Sequence, residues 1–128
     1  MCQVDAPAQE THTRLRLRLL FEGDAMFGPG KADLLQLIRD AGSISEAGRQ
    51  MGMSYKRAWS LVEEMNRDFR APLVDSARGG PGGGGAKLTA TGAEVLGQYR
   101  ALERCLAQEG APQIVALQAL LRDISGEK

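Results

Sequence analysis

The amino-acid sequence predicts an α+β fold, and three patterns support this prediction. Polar and apolar residues alternate with period two over residues 13–22, as they do in a half-buried strand. Apolar residues recur at helical spacing in three separate stretches between residues 31 and 69. A glycine-dense loop over residues 78–86 is flanked by short extended stretches, and a long helical pattern follows it.

The predicted strand over residues 13–22 alternates arginine with leucine. Because successive side chains of a strand lie on opposite faces, Arg14, Arg16 and Arg18 share one face. We interpret this row as a solvated edge strand kept soluble by its charge, with DNA contact as the weaker alternative. Residues 1–12 are polar and aperiodic, and we expect them to form a disordered tail.

Three helices are predicted next, and a tight turn joins the second to the third. The first helix ends at Gly42, and its apolar face consists of Leu34, Leu37, Ile38 and Ala41. Ser45 is predicted to cap the second helix, which Gly52 ends. Ser54 is predicted to cap the third, and its buried stripe consists of Ala58, Leu61, Val62, Met65 and Phe69. Two helices joined by a short glycine-containing turn form a helix-turn-helix.

The glycine-dense loop is predicted to be the tip of a two-stranded wing, with strands at residues 73–76 and 87–89. The T-x-x-E sequence from Thr91 to Glu94 is typical of a capping box and predicts a long helix. The apolar stripe of that helix consists of Val95, Tyr99, Leu102 and Leu106. Helices beyond a finished core often bury such a stripe against a second chain, so we predict a homodimer. For the last helix, which follows Gly110, packing within the chain and packing across the dimer both stay open.

These elements together predict a winged helix-turn-helix. The domain should span residues 13–90, and a helical dimerisation region should span residues 91–128.

Candidate DNA-binding residues cluster at the start of the third helix and around the glycine loop. Tyr55, Lys56 and Arg57 combine positive side chains with the unpaired N–H groups of a helix N-terminus, which suits phosphates and base edges. Trp59 is interpreted as a packing residue, with base contact as the weaker alternative. The complete set of predicted DNA-binding residues is Ser45, Ser54, Tyr55, Lys56, Arg57, Ser60, Arg78, Gly82, Gly83, Gly84 and Lys87.

Composition argues against several other functions. The 128 residues have a formal net charge of zero, but residues 43–91 hold seven basic and five acidic side chains, so a local basic face is expected. The only histidine, His12, lies in the predicted tail, and adjacent Glu63 and Glu64 point in different directions on a helix. We therefore predict no enzyme, no metal site and no cofactor.

The predicted compartment is the cytoplasm. No apolar run is long enough to cross a membrane and no secretory signal is readable, so Cys2 and Cys105 are expected to be reduced.

Several stretches resemble the N-terminal DNA-binding domain of the ModE family of molybdate-responsive bacterial transcription regulators. They are G-S-I-S at 42–45, S-Y-K-R-A-W at 54–59, E-M-N at 64–66 and the glycine run at 79–86. The resemblance covers residues 14–108, and the start of the second helix is more distantly similar to the DNA-binding heads of LysR-type regulators.

The resemblance implies a winged helix-turn-helix dimer that binds a palindromic DNA operator. It implies that residues 54–57 and Ser60 lie on the major-groove side and that the wing lies on the backbone. ModE regulators continue into oxyanion-binding domains, whereas this sequence ends at Lys128 without them, so tight molybdate binding is not expected. The alternatives are a protein-interaction module without DNA binding and an oxyanion-binding accessory protein.

Overall fold

A computed structural model describes residues 13–76 and 85–122. The predicted tail over residues 1–12 and the predicted wing residues Arg78, Gly82, Gly83 and Gly84 lie outside these ranges. In chain order the elements are β1 Leu19–Leu20, β2 Met26–Phe27, α1 Pro29–Ala41, α2 Ile44–Gln50, α3 Tyr55–Asp68, β3 Val74–Ser76, β4 Ala86–Leu88, α4 Ala90–Glu109 and α5 Ala111–Ala119. Each strand pair is antiparallel, β1 with β2 and β3 with β4. The α+β prediction is confirmed for the described residues, and the arrangement is compatible with a winged helix.

The chain divides into two compact units. One unit is Leu17–Tyr99, and the described residues of the other are 13–16 and 100–122. Helix α4 contributes residues to both units.

One hydrophobic core holds the unit Leu17–Tyr99 together. Its fully buried side chains include Phe27, Leu34, Leu35, Ile38, Val62, Met65 and Leu73. The ring of Phe27 meets the rings of Phe69 and Tyr99 edge to face, at centroid distances of 6.1 and 5.1 Å. Such edge contacts between aromatic rings stabilise a fold beyond the burial of their area.

Tyr99 belongs to this core rather than to a surface stripe. It is only 3% exposed, and its hydroxyl donates a hydrogen bond to the backbone oxygen of Leu17. The predicted dimerisation role of Tyr99 is therefore wrong, because the helical spacing could not show which apolar residues of α4 the chain itself covers.

The predicted helix ends are partly right. Helix α1 ends at Gly42 and α3 begins after Ser54, whose Oγ accepts a hydrogen bond from the backbone N–H of Arg57, as predicted. The cap of α2 is Ser43, which accepts from the N–H of Glu46, and not Ser45. Serines two residues apart are equivalent by type, and only the backbone conformation distinguishes them.

Helix α4 also begins earlier than predicted. The Oγ1 of Thr89 accepts a hydrogen bond from the N–H of Gly92, so the helix starts at Ala90 and the capping box at Thr91 and Glu94 is wrong. The same hydroxyl donates to the backbone oxygen of Pro72, and the N–H of Thr89 donates to that of Leu73. Thr89 is fixed by this tertiary contact, which no local motif could predict.

The predicted N-terminal strand is mostly absent from the described structure. Only Leu19–Leu20 forms a strand, and its partner is Met26–Phe27, a short strand that the sequence analysis missed. Arg14, Arg16 and Arg18 are exposed, as expected for a solvated row. Alternation indicates two faces of a strand, but it does not supply the neighbouring backbone that a strand needs.

Two helices of the core approach each other closely at Gly48. A Cβ atom placed on Gly48 of α2 would lie 2.8 Å from the Cβ of Ala58 on α3. The N–H of Met53 donates to the backbone oxygen of Gly48, which closes the turn between the two helices. The absence of a side chain at residue 48 thus allows the close crossing of α2 and α3.

A second close approach lies at Gly92 of α4. A Cβ atom there would lie 2.1 Å from the backbone oxygen of Leu73 and 2.9 Å from its carbonyl carbon. Backbone atoms cannot rotate away as a flexible side chain can. Gly97, one and a half turns further along α4, is exposed and has no heavy atom within 4 Å of such a Cβ.

We predict that Gly92→Ala and Gly97→Ala change stability in opposite directions. Gly92→Ala should lower the free energy of unfolding by about 1–3 kcal/mol, because α4 must move away from Leu73. Gly97→Ala should raise it by about 0.5–1 kcal/mol, because alanine loses less conformational freedom in a helix. Urea denaturation of both variants measures this, and equal effects of the two substitutions would contradict the close approach.

Candidate nucleic-acid interface

The N-terminal end of α3 presents an exposed group of polar and basic residues. Ser54 caps the helix through the hydrogen bond from the N–H of Arg57, at 3.0 Å. The other N–H groups of the first turn have no acceptor in the helix and are available to an anion. Tyr55, Lys56 and Arg57 are all exposed, and neither cation forms a salt bridge within the described residues. This end of α3 therefore combines two uncompensated positive charges with free backbone donors.

Tyr55 and Trp59 form an aromatic pair on α3. Their ring centroids are 6.1 Å apart with an interplanar angle of 67°. Trp59 is half-buried and packs against the core, as its interpretation as a packing residue requires, while Tyr55 is 61% exposed. Ser60, the remaining candidate on α3, is half-buried.

Helix α2 carries Ser45 and an ion pair. Ser45 is exposed in the first turn. Two hydrogen bonds link the guanidinium of Arg49 to the carboxylate of Glu46, at 2.9 and 2.5 Å, and Gln50 donates a third at 2.9 Å. The Arg49 hydrogen bonds, with a smaller contribution from Gln50, lower the pKa of Glu46 to about 2. The positive charge of Arg49 is thus paired at neutral pH, unlike those of Lys56 and Arg57.

The β3–β4 pair is attached to the helices at both strands. On β3, the side chain of Asn66 from α3 accepts from the N–H groups of Leu73 and Val74 and donates to the backbone oxygen of Val74. On β4, the N–H of Ala86 donates to the backbone oxygen of Gly42 at 2.9 Å. The two ends of the glycine-dense loop are therefore held at fixed places on the unit.

Lys87 lies on β4 and is exposed. The register of the strand pair sets it opposite Asp75. Opposite charges at such cross-strand positions attract each other, but these two side chains form no salt bridge. Lys87 is therefore a further exposed cation without a salt-bridge partner among the described residues, on β4 rather than on α3.

A buried lysine was missed by the sequence analysis. Lys31 of α1 is 6% exposed, its Nζ donates to the backbone oxygen of Met26 at 2.8 Å, and it lies 3.2 Å from an Oε1 of Glu64 on α3. Glu64 is therefore the partner of a buried cation. A signal was available, because Lys31 precedes Leu34 and Leu35 by one helical turn and so lies on the apolar face of α1.

The other residues predicted to mediate dimerisation differ in exposure. Val95 packs partly buried against the core, Leu102 is half-buried and Leu106 is 38% exposed. Helix α5 has no buried residue, and its exposed apolar residues include Val115 and Leu117.

Cys105 is disulfide-bonded, so the prediction that both thiols are reduced is wrong. That prediction came from the inferred compartment and not from any geometry of the chain.

The predicted DNA-binding residues within the described ranges all lie in the unit Leu17–Tyr99. Five of these residues lie on or beside α3, namely Ser54, Tyr55, Lys56, Arg57 and Ser60, whereas Ser45 lies on α2 and Lys87 on β4.

Over residues 13–76 and 85–122 no group of three or more histidine, cysteine, aspartate or glutamate side chains could hold a metal ion. None of the helices described there is long and apolar enough to cross a membrane.

Comparison with known proteins identifies homologues among bacterial regulators and molybdenum-binding proteins. The chain is 44% identical over 84 residues to the molybdenum-pterin-binding protein MopB of Rhodobacter capsulatus, which is 66% of this chain and 31% of MopB. It is 44% identical over 71 residues to the DNA-binding transcriptional dual regulator ModE of Escherichia coli, or 56% of this chain and 27% of ModE. It is 38% identical over 97 residues to the molybdenum transport protein ModE of Azotobacter vinelandii, or 73% of this chain and 35% of that protein.

The similarity to ModE is consistent with the resemblance found in the sequence. The aligned regions amount to about a third of the length of these relatives. No family model matches the chain. None of the three relatives carries the name of an enzyme, in agreement with the prediction of a non-enzymatic protein.

Proposed function

We propose that this chain is a sequence-specific DNA-binding transcription regulator of the ModE type. In this proposal a winged helix-turn-helix over residues 13–90 inserts α3 into the major groove of a palindromic operator. The residues at the N-terminal end of α3 contact base edges, and the β3–β4 pair and its loop contact the phosphate backbone. Residues 91–128 form the dimerisation region, and the protein acts in the cytoplasm.

One observation carries the proposal, which is the exposed N-terminal end of α3. Lys56 and Arg57 are uncompensated cations beside free helix N–H groups. On its buried side, α3 packs closely against α2 where Ala58 meets Gly48. In helix-turn-helix proteins the N-terminal residues of the second helix contact base edges. The similarity to proteins named as transcriptional regulators supports the same assignment. The zero net charge is no objection, because salt bridges balance charges elsewhere, at Lys31, Arg49 and Arg100.

We predict that Lys56→Ala or Arg57→Ala weakens binding to the operator by roughly 1–3 kcal/mol and relaxes the preference for particular base pairs. Lys87→Ala should instead weaken specific and scrambled duplexes about equally and reduce the salt slope by about 1, since a phosphate contact reads no sequence. Selection from a random DNA pool first identifies the duplex. Titration at several salt concentrations then measures the variants.

Arg67→Ala is the matched control for these substitutions. Arg67 lies on the same helix but at its C-terminal end, where it is exposed and pairs with Asp68 at 3.6 Å. Its replacement should leave DNA affinity unchanged. If Lys56→Ala and Arg57→Ala both bind the duplex as the parent protein does, the interaction-module alternative replaces the proposed function.

The proposed homodimer rests on Leu102 and Leu106 of α4, with Val95 at the edge of the interface. We predict that changing Leu102 and Leu106 together to glutamate gives monomers and weakens operator binding, because charge then replaces the buried apolar stripe. Sedimentation at tens of micromolar measures the mass. Arg104→Glu, which adds an exposed glutamate to the same helix, should leave the dimer intact. A parent protein that sediments as a monomer would overturn the proposal.

A second candidate function is that of an oxyanion-binding accessory protein, and the relative MopB, which is named a molybdenum-pterin-binding protein, favours a molybdenum-containing ligand. The proposed function assigns no oxyanion site to the described residues, so we predict no sub-micromolar binding of molybdate and no effect of molybdate on DNA affinity. Isothermal titration calorimetry with molybdate measures the first, and DNA titration with and without it measures the second. Sub-micromolar binding by a protein that binds no duplex would favour the second candidate.

A further inference from the structure

Among the described residues of the unit Leu17–Tyr99, the exposed large apolar side chains are Leu20, Phe21 and Tyr55. Of these three, only Tyr55 lies on a helix. A single exposed apolar residue is ordinary on a protein surface. Tyr55, however, begins α3 beside the uncompensated charges of Lys56 and Arg57. Its apolar surface therefore lies at the point where the proposed function requires contact with base edges.

The ring of Tyr55 is held by Trp59. The two rings meet edge to face, one helical turn apart, with centroids separated by 6.1 Å. Trp59 itself packs against the core, and its Nε1 is buried without a hydrogen-bond partner. The indole is consequently fixed by packing and not by a hydrogen bond. It gives Tyr55 a supporting surface that does not depend on DNA.

We propose that Tyr55 contacts the 5-methyl group of a thymine in the major groove and that Trp59 is the positioning residue that holds its ring. The inference rests on the proposed function and names the chemical group that α3 reads. Thymine presents a methyl group in the major groove, and apolar side chains recognise it there. Donation from the tyrosine hydroxyl to a phosphate is the competing contact, and it would carry no information about sequence.

Replacement of thymine by uracil tests the contact, because it removes the methyl group and leaves base pairing intact. The probe is the duplex selected from the random pool, with each thymine changed in turn to deoxyuridine. At one thymine of each half-site, loss of the buried methyl group should lower the affinity of the full-length protein about fourfold. At thymines that Tyr55 does not contact, replacement by deoxyuridine should change the affinity of the parent protein and of the Tyr55 variants by the same factor.

Two variants of Tyr55 separate the ring from the hydroxyl. Tyr55→Ala should bind the thymine and uracil duplexes equally at that position while keeping its sensitivity at the others. Tyr55→Phe should retain the fourfold discrimination, because the ring remains. If Tyr55→Phe loses discrimination as Tyr55→Ala does, the hydroxyl makes the contact and the inference is wrong.

Two variants of Trp59 test the positioning role. Trp59→Phe keeps a six-membered aromatic ring at residue 59 and removes the pyrrole part of the indole with its unpaired N–H, so discrimination should persist because an aromatic ring still supports Tyr55. Trp59→Leu removes the ring that supports Tyr55, and discrimination at that thymine should fall below twofold while binding to the uracil duplex stays within twofold of the parent protein. Thermal unfolding establishes that the variant is folded. If Trp59→Leu does not fold, equal discrimination by Trp59→Phe and the parent protein still tests the role of the ring.

Trp59 also provides a direct optical readout, since it is the only tryptophan of the chain. Its emission should change when the thymine duplex binds and change less when the uracil duplex binds. If Lys56→Ala lowers DNA affinity, but Tyr55→Ala loses as much affinity as the parent protein when each thymine is replaced by deoxyuridine, the proposed function stands and this inference is wrong. If selection recovers no duplex, both fall together.

Discussion

The close crossing of α2 and α3 at Gly48 is the contact on which the candidate interface depends. With no side chain at residue 48, Ala58 can pack directly against the backbone of α2. Ala58 is fully buried, so the first turn of α3 is anchored from one side. The residues before it, Tyr55 to Arg57, are then left on the solvent side. Exposure of this end thus follows from burial of its neighbour, because one helical turn cannot face the core on every side.

The described cations differ in whether a carboxylate pairs with them. Within the described residues, Lys31, Arg39, Arg49, Arg67 and Arg100 each have a carboxylate partner. Salt bridges at the surface add little stability, but they neutralise the field that a cation would present to a polyanion. The cations of α3 that lack such partners lie at its N-terminal end, where the helix dipole is also positive. A chain with zero net charge can therefore present a localised attraction for anions.

Local signals predicted much of this architecture, and the errors share a cause. Helical spacing identified α1 and α3, and the Ser54 cap was correct because its hydrogen bond closes within three residues. The start of α4 was wrong because Thr89 is fixed by Pro72 and Leu73, which are distant in sequence. Tyr99 was misassigned for the same reason, since its neighbour Phe27 lies far away along the chain. Of the candidate interface, the composition of the α3 end was predictable. Helical spacing allows the Glu46–Arg49 and Tyr55–Trp59 pairs but does not show that either pair forms.

The attachment of β3 and β4 has a consequence for how this scaffold can change. Asn66 holds β3 at Leu73 and Val74, and the backbone oxygen of Gly42 holds β4 at Ala86, so described strand residues make the bonds that attach the strand pair to the unit. Loop closure becomes only slightly less favourable as a loop lengthens, by about 0.6 kcal/mol for each doubling. Insertions between the strands should therefore leave the folded unit largely undisturbed. This junction is accordingly a suitable place to insert a foreign peptide. It is also a place where related chains with the same helices can differ in loop length, and hence in how far the loop extends.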